Sequence, residues 1–562
     1  MEDNKHTNFS GKNKNHILFR YFIFVIAAII LGAMIAIYSF KTSVIDADKW
    51  TSRMPVKHEC PERGKIFDND LRILAKDSTL YTLRIDYRSE RFNKDYFLKN
   101  VNSLSDSLAF YFPTKDSSEW SLHLTEPLSR NFPPRAHRVL TNLTKEQCHI
   151  FNNWEFNGRM GLYFEPKVKR YNISNNATVG RVSNDNGQMH GYSGIEGYFD
   201  YQLSGQIDPK HAIDGKDIYT TINWSLQEKV HSVLYDMLKL SEAEWGSAVV
   251  MDVKTGDILA INNLTIDSVS KDYTEIYNHA ARNYEFGSLF KTIPMTIALE
   301  DKLVTDTAEI FEIGKSYAYA GGSPINDAQY NSTLKVNDFL SISTNIGLVK
   351  LMERGYHNNP SQWVTRLEKT GFLKPLNTGI AGQHTPNIPS VTDDDKGRIE
   401  WSRQMLGYNV EVSPLALLAW YNAIANDGIY VRPRLVTNIK GNNSDSIISV
   451  SNISERLCSS ENAAILRDIL AKTVTGDKGT GRILRDNDIK VAGKTGTSYM
   501  YDKSKSGYDV NKKLLSFAGF FPADAPRYSC IVVINNPTTN PNVAASASGT
   551  VFKQIVQYLQ NK

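Results

Sequence analysis

A run of twenty uncharged residues, 21–40, constrains this chain before any other feature does. It includes Ile-Phe-Val-Ile-Ala-Ala-Ile-Ile-Leu at 23–31. A helix of about 20 apolar residues spans the hydrocarbon core of a bilayer, and a signal-peptide core is shorter. No small-residue cleavage pattern follows; the next residues are Lys41-Thr42-Ser43-Val44-Ile45-Asp46. The run reads as an uncleaved anchor over 17–40. Lys5, Lys12, Lys14 and Arg20 precede it, so the positive-inside rule places a polar tail, 1–16, in the cytoplasm. Tyr21 and Tyr38 would sit at the two interfaces. The competing reading is a buried core helix. With an anchor, the chain is a single-pass protein of the inner (cytoplasmic) membrane, and everything from Lys41 onward is periplasmic or otherwise extracytoplasmic.

The 562 residues suffice for two or more domains with cores of their own. The 64 basic and 60 acidic residues nearly balance, and no block of like charge suggests a nucleic-acid surface. The four cysteines, Cys60, Cys148, Cys458 and Cys530, form no Cys-x-x-Cys, so no metal, redox motif or cofactor is expected. The compartment permits disulfides. Cys60–Cys148 and Cys458–Cys530 are possible pairs, and four free thiols are an equal alternative.

Residues 41–215 read as one irregular α+β region. Strands are expected at both sides of a turn at Asn69-Asp70, and again at 81–86. A helix is expected between Phe92 and Phe112, where Phe97, Val101, Leu104 and Leu108 recur at helical spacing. Thr144 and Gln147 form a capping-box pattern. Residues 160–212, rich in Gly, Asn, Ser and Tyr, suggest loops and short strands. The character changes near Gly215. A strand over 217–222 precedes a helix capped by Asn223, and 247–253 with 258–261 flank a hairpin turn at Lys254-Thr255-Gly256. Ser413 caps and Pro414 opens a helix. Residues 515–521 and 529–534 look like neighbouring strands, and a last helix presents Val551, Phe552, Ile555, Val556 and Leu559. Strands at both ends with helices between them suggest an antiparallel sheet packed by helices over 216–562.

Three short motifs carry the chemistry. Phe286-Gly287-Ser288 turns into an apolar helix, and Lys291 lies three residues after Ser288, on the same face. That sets a nucleophile beside a candidate base, near backbone N–H groups left unpaired at a helix start. Ser343-Thr344-Asn345 lies between helical segments; its hydroxyl can relay a proton, and its amide can donate and accept. Lys494-Thr495-Gly496-Thr497 is strand-like, and a Gly there lets an extended substrate approach the backbone. Each motif is degenerate. Ser-x-x-Lys occurs also at Ser268–Lys271 and Ser332–Lys335, Lys-Thr-Gly at 254–256 and 369–371, and Ser-x-Asn at 174–176 and 460–462. Only the trio Ser288/Lys291, Ser343/Asn345 and Lys494/Thr495/Gly496 gives helix, loop and strand in that order.

With these motifs the chain resembles the class B penicillin-binding proteins, the single-function peptidoglycan transpeptidases, most closely the cell-division type. The resemblance extends to Arg63-Gly64-Lys65-Ile66-Phe67-Asp68, to 194–205, to 251–260, and to Gly407-Tyr408 with 413–426. Departures are Phe286 where Pro is usual, Leu289 for Thr, Thr344 for Ser and Ser498 for Ala. The resemblance implies an α+β architecture: an anchor helix, a pedestal (dimerisation-like) domain over 41–215, and a β-lactamase-like transpeptidase domain over 216–562 with helices on both sides of its sheet. It implies a serine acyl-enzyme that cross-links stem peptides in septal wall synthesis. Ser288, Lys291, Ser343, Asn345 and Lys494 would be catalytic, and Thr495, Gly496 and Thr497 would bind substrate. Implied partners are stem peptides, β-lactams, the inner membrane, a polytopic glycosyltransferase and division proteins. An elongation-type transpeptidase, a D,D-carboxypeptidase or β-lactamase-like hydrolase, and a non-catalytic penicillin sensor are the other readings.

Overall fold

The computed structural model describes residues 31–34, 62–152, 160–173, 176–185, 188–207, 212–441, 444–454, 456–486, 490–502 and 507–561. The chain divides into two compact units. One comprises Met1–Pro61 and Gln206–Ile213; its described parts are helical residues 31–34 and a two-stranded ladder of Gln206–Ile207 with Ala212–Ile213. The other comprises Glu62–Gly205 and Asp214–Lys562 and contains the rest of the described structure. Among the described residues no helix is long and apolar enough to cross a membrane. The tail at 1–16 lies outside the described residues, and so does the anchor expected at 17–40 apart from 31–34.

A six-stranded antiparallel sheet forms the centre of the larger unit. Its order is Tyr273–Thr274, Ile258–Ile266, Trp245–Asp252, Tyr528–Asn535, Gly507–Phe521, Ala492–Asp502. The inner strands are buried on both faces, and alternate residues join different cores, as the two-residue period of a strand requires. Ala248, Val250, Val532 and Ile534 pack with Val230, Leu234, Val551, Phe552 and Ile555 of the helices Trp224–Ser241 and Ser548–Gln560. Val249, Met251, Ile531 and Val533 pack on the other side with the helices Thr292–Glu300 and Pro414–Ala425. The expected helix–sheet–helix layering is therefore present. Asn223 caps its helix by accepting from the Leu226 N–H, and Ser413 accepts from Ala416.

A second sheet has seven strands, and it draws them from both sides of residue 215. Ser444–Ile447, Val436–Gly441 and Asp217–Thr220 continue into Ile66–Phe67, Ile73–Ile85 and His137–Leu143, with Leu162–Asn172 also paired to Ile73–Ile85. Ile66–Phe67 runs parallel to Asp217–Thr220, pairing Ile66 with Ile218. The strands expected on either side of 81 are one strand of 13 residues. Leu162–Asn172, expected as loops and short strands, is an 11-residue strand, mostly exposed, so no apolar alternation marks it in the sequence.

The helix Lys94–Tyr111 buries Phe97, Val101, Leu104 and Leu108 as its spacing predicts, and Thr144 and Gln147 form the reciprocal cap. The same part of the chain holds a buried ion cluster. Glu196 receives Arg63 Nε and Arg170 Nε, each at 2.7 Å, and Arg170 also reaches Asp77 at 3.0 Å. Cys148, Cys458 and Cys530 are free thiols, so neither possible disulfide forms; Cys60 lies outside the described residues. Cys458 and Cys530 sit in the apolar core, and burial pushes both thiols up, Cys458 to about 12.

Candidate active site

Ser288 lies in a tight lead-in to a helix rather than in an α-turn. Gly287–Leu289 is a single 3-10 turn, and the α-helix runs from Thr292 to Glu300. Pro294 accounts for this locally. It has no N–H to offer the Phe290 carbonyl, which instead accepts from Ile293 at 2.8 Å. Gly287 has φ +51°, and a Cβ there would come within 2.5 Å of the Thr497 carbonyl oxygen. Its N–H donates to the Gly407 carbonyl at 3.2 Å. The turn carrying Ser288 is thus wedged between the strand at Thr497 and the loop at Gly407. Tyr421, fully buried, donates to the Leu289 carbonyl at 2.9 Å and meets the Thr292 hydroxyl at 2.7 Å.

Lys291 is buried with only 1% of its surface exposed. Its Nζ donates to the Ser343 carbonyl at 2.8 Å and to Asn345 Oδ1 at 2.5 Å, and lies 3.4 Å from Ser343 Oγ. Burial lowers its pKa to about 7, against the opposing pull of the Asp327 carboxylate. A neutral amine is therefore well populated near pH 7. Ser343 joins the short helix Phe339–Ile342 to the helix Asn345–Tyr356 and has φ +65°, a conformation a non-glycine residue adopts only when its surroundings enforce it.

Asp327 enforces it. This carboxylate accepts from the Thr344 hydroxyl and the Asn345 N–H, each at 2.5 Å, and from the Ile346 N–H at 3.1 Å. It thereby anchors an N-terminal helix end, where backbone donors are unpaired and negative charge is favoured. Asn345 Nδ2 donates to the Asn326 carbonyl at 2.6 Å.

Lys494, Thr495, Gly496 and Thr497 lie on the edge strand Ala492–Asp502. Lys494 is fully buried and donates to the Thr495 carbonyl at 2.9 Å; burial first, then the Lys291 charge, depresses its pKa well below the usual value. Thr495 Oγ1 donates to Thr480 Oγ1 at 2.8 Å, and the Thr480 N–H donates to the Ser341 carbonyl at 3.1 Å. A Cβ on Gly496 would approach Ser516 Oγ at 2.3 Å and Leu289 Cβ at 2.8 Å. The Gly is needed because this strand lies directly on the residue after Ser288. Ser498 Oγ donates to the Glu285 carbonyl at 2.6 Å, a bond that Ala, usual in the resembling family, could not make.

The structure thus gathers the three expected motifs around the turn at Gly287 and leaves their duplicates elsewhere. Ser268–Lys271 is in the loop before Tyr273, and Ser332–Lys335 lies at the end of the strand Ile325–Lys335. Gly371 ends the helix Gln362–Thr370, and Ser460–Asn462 opens the helix Ser460–Thr475; Ser174 lies outside the described residues. Sequence reasoning missed Asp327, Thr480 and Tyr421. Each acts from a distant segment, and no local spacing signals it.

The penicillin-binding protein transpeptidase domain pattern matches residues 246–557, more than half of the chain, and the penicillin-binding protein dimerisation domain matches 58–213. The chain belongs to the penicillin-binding protein transpeptidase family. It is similar to penicillin-binding protein PbpB of Mycolicibacterium smegmatis, 27% identical over 374 residues, 64% of this chain and 56% of that one. It is equally similar to the peptidoglycan D,D-transpeptidase FtsI of Escherichia coli K12, 27% identical over 423 residues, 70% of this chain and 68% of that one. The first four curated relatives are matched over 54–61% of their own length. The fold is that of penicillin-binding protein 2X from Streptococcus thermophilus, with TM-score 0.73 and 19% identity over 89% of this chain and 79% of that one. Penicillin-binding protein 3 of Mycobacterium tuberculosis complexed with aztreonam gives TM-score 0.64 at 20% identity, over 89% of this chain and 96% of that one. These matches bear out the resemblance to class B proteins of the division type.

Proposed function

We propose that the chain is a peptidoglycan D,D-transpeptidase of septal type that works through an acyl-enzyme on Ser288. The observation that carries this is the buried Lys291 amine on Ser343 and Asn345, three residues after Ser288 at the start of the helix Thr292–Glu300. Ser288 Oγ attacks the carbonyl of a D-Ala-D-Ala amide in a stem peptide, and Lys291 accepts its proton. The Ser288 and Thr497 N–H groups receive the developing oxyanion. Ser343 passes a proton to the leaving D-Ala nitrogen. An amine of a second stem peptide then takes the acyl group and restores the hydroxyl. Lys494, Thr495 and Thr497 bind the terminal carboxylate, Gly496 gives the strand room to do so, and Asn345 holds the peptide amide.

The relatives named as D,D-transpeptidases and the aztreonam complex support this substrate class and β-lactam binding. The uncharged run at 21–40 supports an inner-membrane anchor at 17–40 with the bulk periplasmic. The composition supports a pedestal over 41–215 ahead of a transpeptidase domain over 216–562. A polytopic glycosyltransferase and division proteins are the partners this role calls for.

Labelling with a fluorescent penicillin tests the site. Ser288→Ala abolishes the covalent label, while Ser268→Ala and Ser332→Ala label like the parent. Strong labelling of folded Ser288→Ala, mapped to another serine, would overturn the assignment.

A further inference from the structure

In an α-helix each carbonyl accepts from the N–H four residues on. Pro294 has no N–H, so the Phe290 carbonyl takes the one at Ile293 instead, at 2.8 Å. An unbroken α-helix would have given that N–H to Leu289. Leu289 is fully buried, and a buried carbonyl without a donor is costly. It also adjoins Ser288, so whatever holds this carbonyl holds the main chain beside the nucleophile.

The donor is a side chain 132 positions away: Tyr421 Oη donates to the Leu289 carbonyl at 2.9 Å. A phenol has one proton, so in its 2.7 Å contact with Thr292 Oγ1 it is the acceptor. One oxygen thus grips the chain on both sides of Lys291. Burial raises the phenol's pKa, so the proton stays in place at any working pH.

The support of this hydroxyl is itself fixed. The helix Pro414–Ala425 is buried along its whole length. Trp420 Nε1 donates to Thr296 Oγ1 at 3.2 Å, towards the helix Thr292–Glu300. On the other side of Tyr421, Asn422 Nδ2 donates to the Val253 carbonyl at 3.0 Å, and Asn422 Oδ1 accepts from Ser529 Oγ at 2.7 Å. Ser529 lies on the strand Tyr528–Asn535, inside the six-stranded sheet. Tyr430 gives the contrast. It is equally buried and its ring lies 6.3 Å from that of Trp420, yet its hydroxyl makes no hydrogen bond among the described residues.

On the reading that the site is a transpeptidase, we infer that Tyr421 is a positioning residue for acylation. Its hydroxyl takes the carbonyl that Pro294 leaves over, and so fixes, against the central sheet, the turn in which Ser288 meets Lys291.

The test follows acylation of the full chain by a chromogenic β-lactam over a range of concentrations. This separates the limiting acylation constant from the half-saturating concentration. Tyr421→Phe keeps the ring and removes the hydroxyl. It should lower the limiting constant about tenfold, as a small misplacement of reacting groups does, and move the half-saturating concentration by less than about twofold. Tyr430→Phe should change neither. An unchanged limiting constant in folded Tyr421→Phe, or an equal loss in Tyr430→Phe, overturns the inference. Melting temperatures test the link to the proline. Pro294→Ala restores an N–H for Phe290 and frees that of Ile293 for Leu289, so the melting-temperature loss caused by Tyr421→Phe should shrink by about half or more in that background. A loss of equal size in both backgrounds overturns the inference as well. Failure of the parent chain to acylate at all would instead sink the transpeptidase reading beneath it.

Discussion

Lys291 gives the site its pH dependence. Burial sets its pKa at about 7, against about 10.4 for a free lysine. Acylation needs the neutral amine, so its rate should be nearly flat above pH 8 and fall about tenfold per unit below about pH 6.5. The sign for stability follows from proton counts. Between about pH 7 and about 10.4 the unfolded chain holds a proton that the folded chain lacks, so this residue's contribution to stability rises with pH across that window. Asp327 pulls the other way on the same amine, so Asp327→Asn should move the acid limb of the acylation profile to lower pH. Stopped-flow acylation by a chromogenic β-lactam between pH 5 and 9 checks both; an unmoved limb in the variant would assign Asp327 to holding the Ser343 turn alone. Lys291→Arg should not restore acylation, because a guanidinium stays protonated.

At the scale of elements, what the sequence reveals depends on where an element's partners lie. Helices betray themselves locally. Asn223 and Ser413 are caps, Phe97 to Leu108 is an apolar stripe, and all are where spacing predicts. The cap has a stated value: Asn223→Ala should lower stability by about 1 kcal/mol, read by denaturant melts, with acylation unchanged. Strands are less legible. Leu162–Asn172 is held by eleven residue pairings to a neighbour about ninety positions away, and its own residues are mostly exposed. The motif trio is legible because its chemistry is specific, yet its support is not. Asp327 sits in a strand that looks like any polar hairpin arm, and Thr480 in a loop. The 3-10 lead-in at Ser288 was hidden too, although Pro294 six residues on could have signalled it.

For the whole molecule, the seven-stranded sheet matters most. A fragment starting at residue 216 would keep every catalytic candidate but lose Ile66–Phe67 from one side of Asp217–Thr220. Ile218, fully buried in the intact chain, would face water beside an unpaired strand edge, an invitation to aggregate. Such a fragment should give little monomeric material and little penicillin label, whereas a fragment from residue 62 should give both. Size-exclusion profiles of the two would decide it, and a monodisperse, labelling 216–562 fragment would count against a structural role for the shared sheet.

The buried lysine pair links ligand binding to the solvent's proton supply. The Lys494 cation is disfavoured when the site is empty, by burial first and then by the Lys291 charge. A carboxylate arriving beside it supplies the missing counter-charge, so the amine should draw a proton from buffer as the ligand settles. Calorimetric titration of Ser288→Ala with benzylpenicillin at pH 8 should give heats that differ between phosphate and Tris, in proportion to the protons taken up and to the difference between the two buffers' ionisation enthalpies. Identical heats in the two buffers would mean that Lys494 is already charged before anything binds. If the uptake is there, affinity for every anionic ligand of this site weakens as the medium turns alkaline, whatever the rest of the ligand looks like.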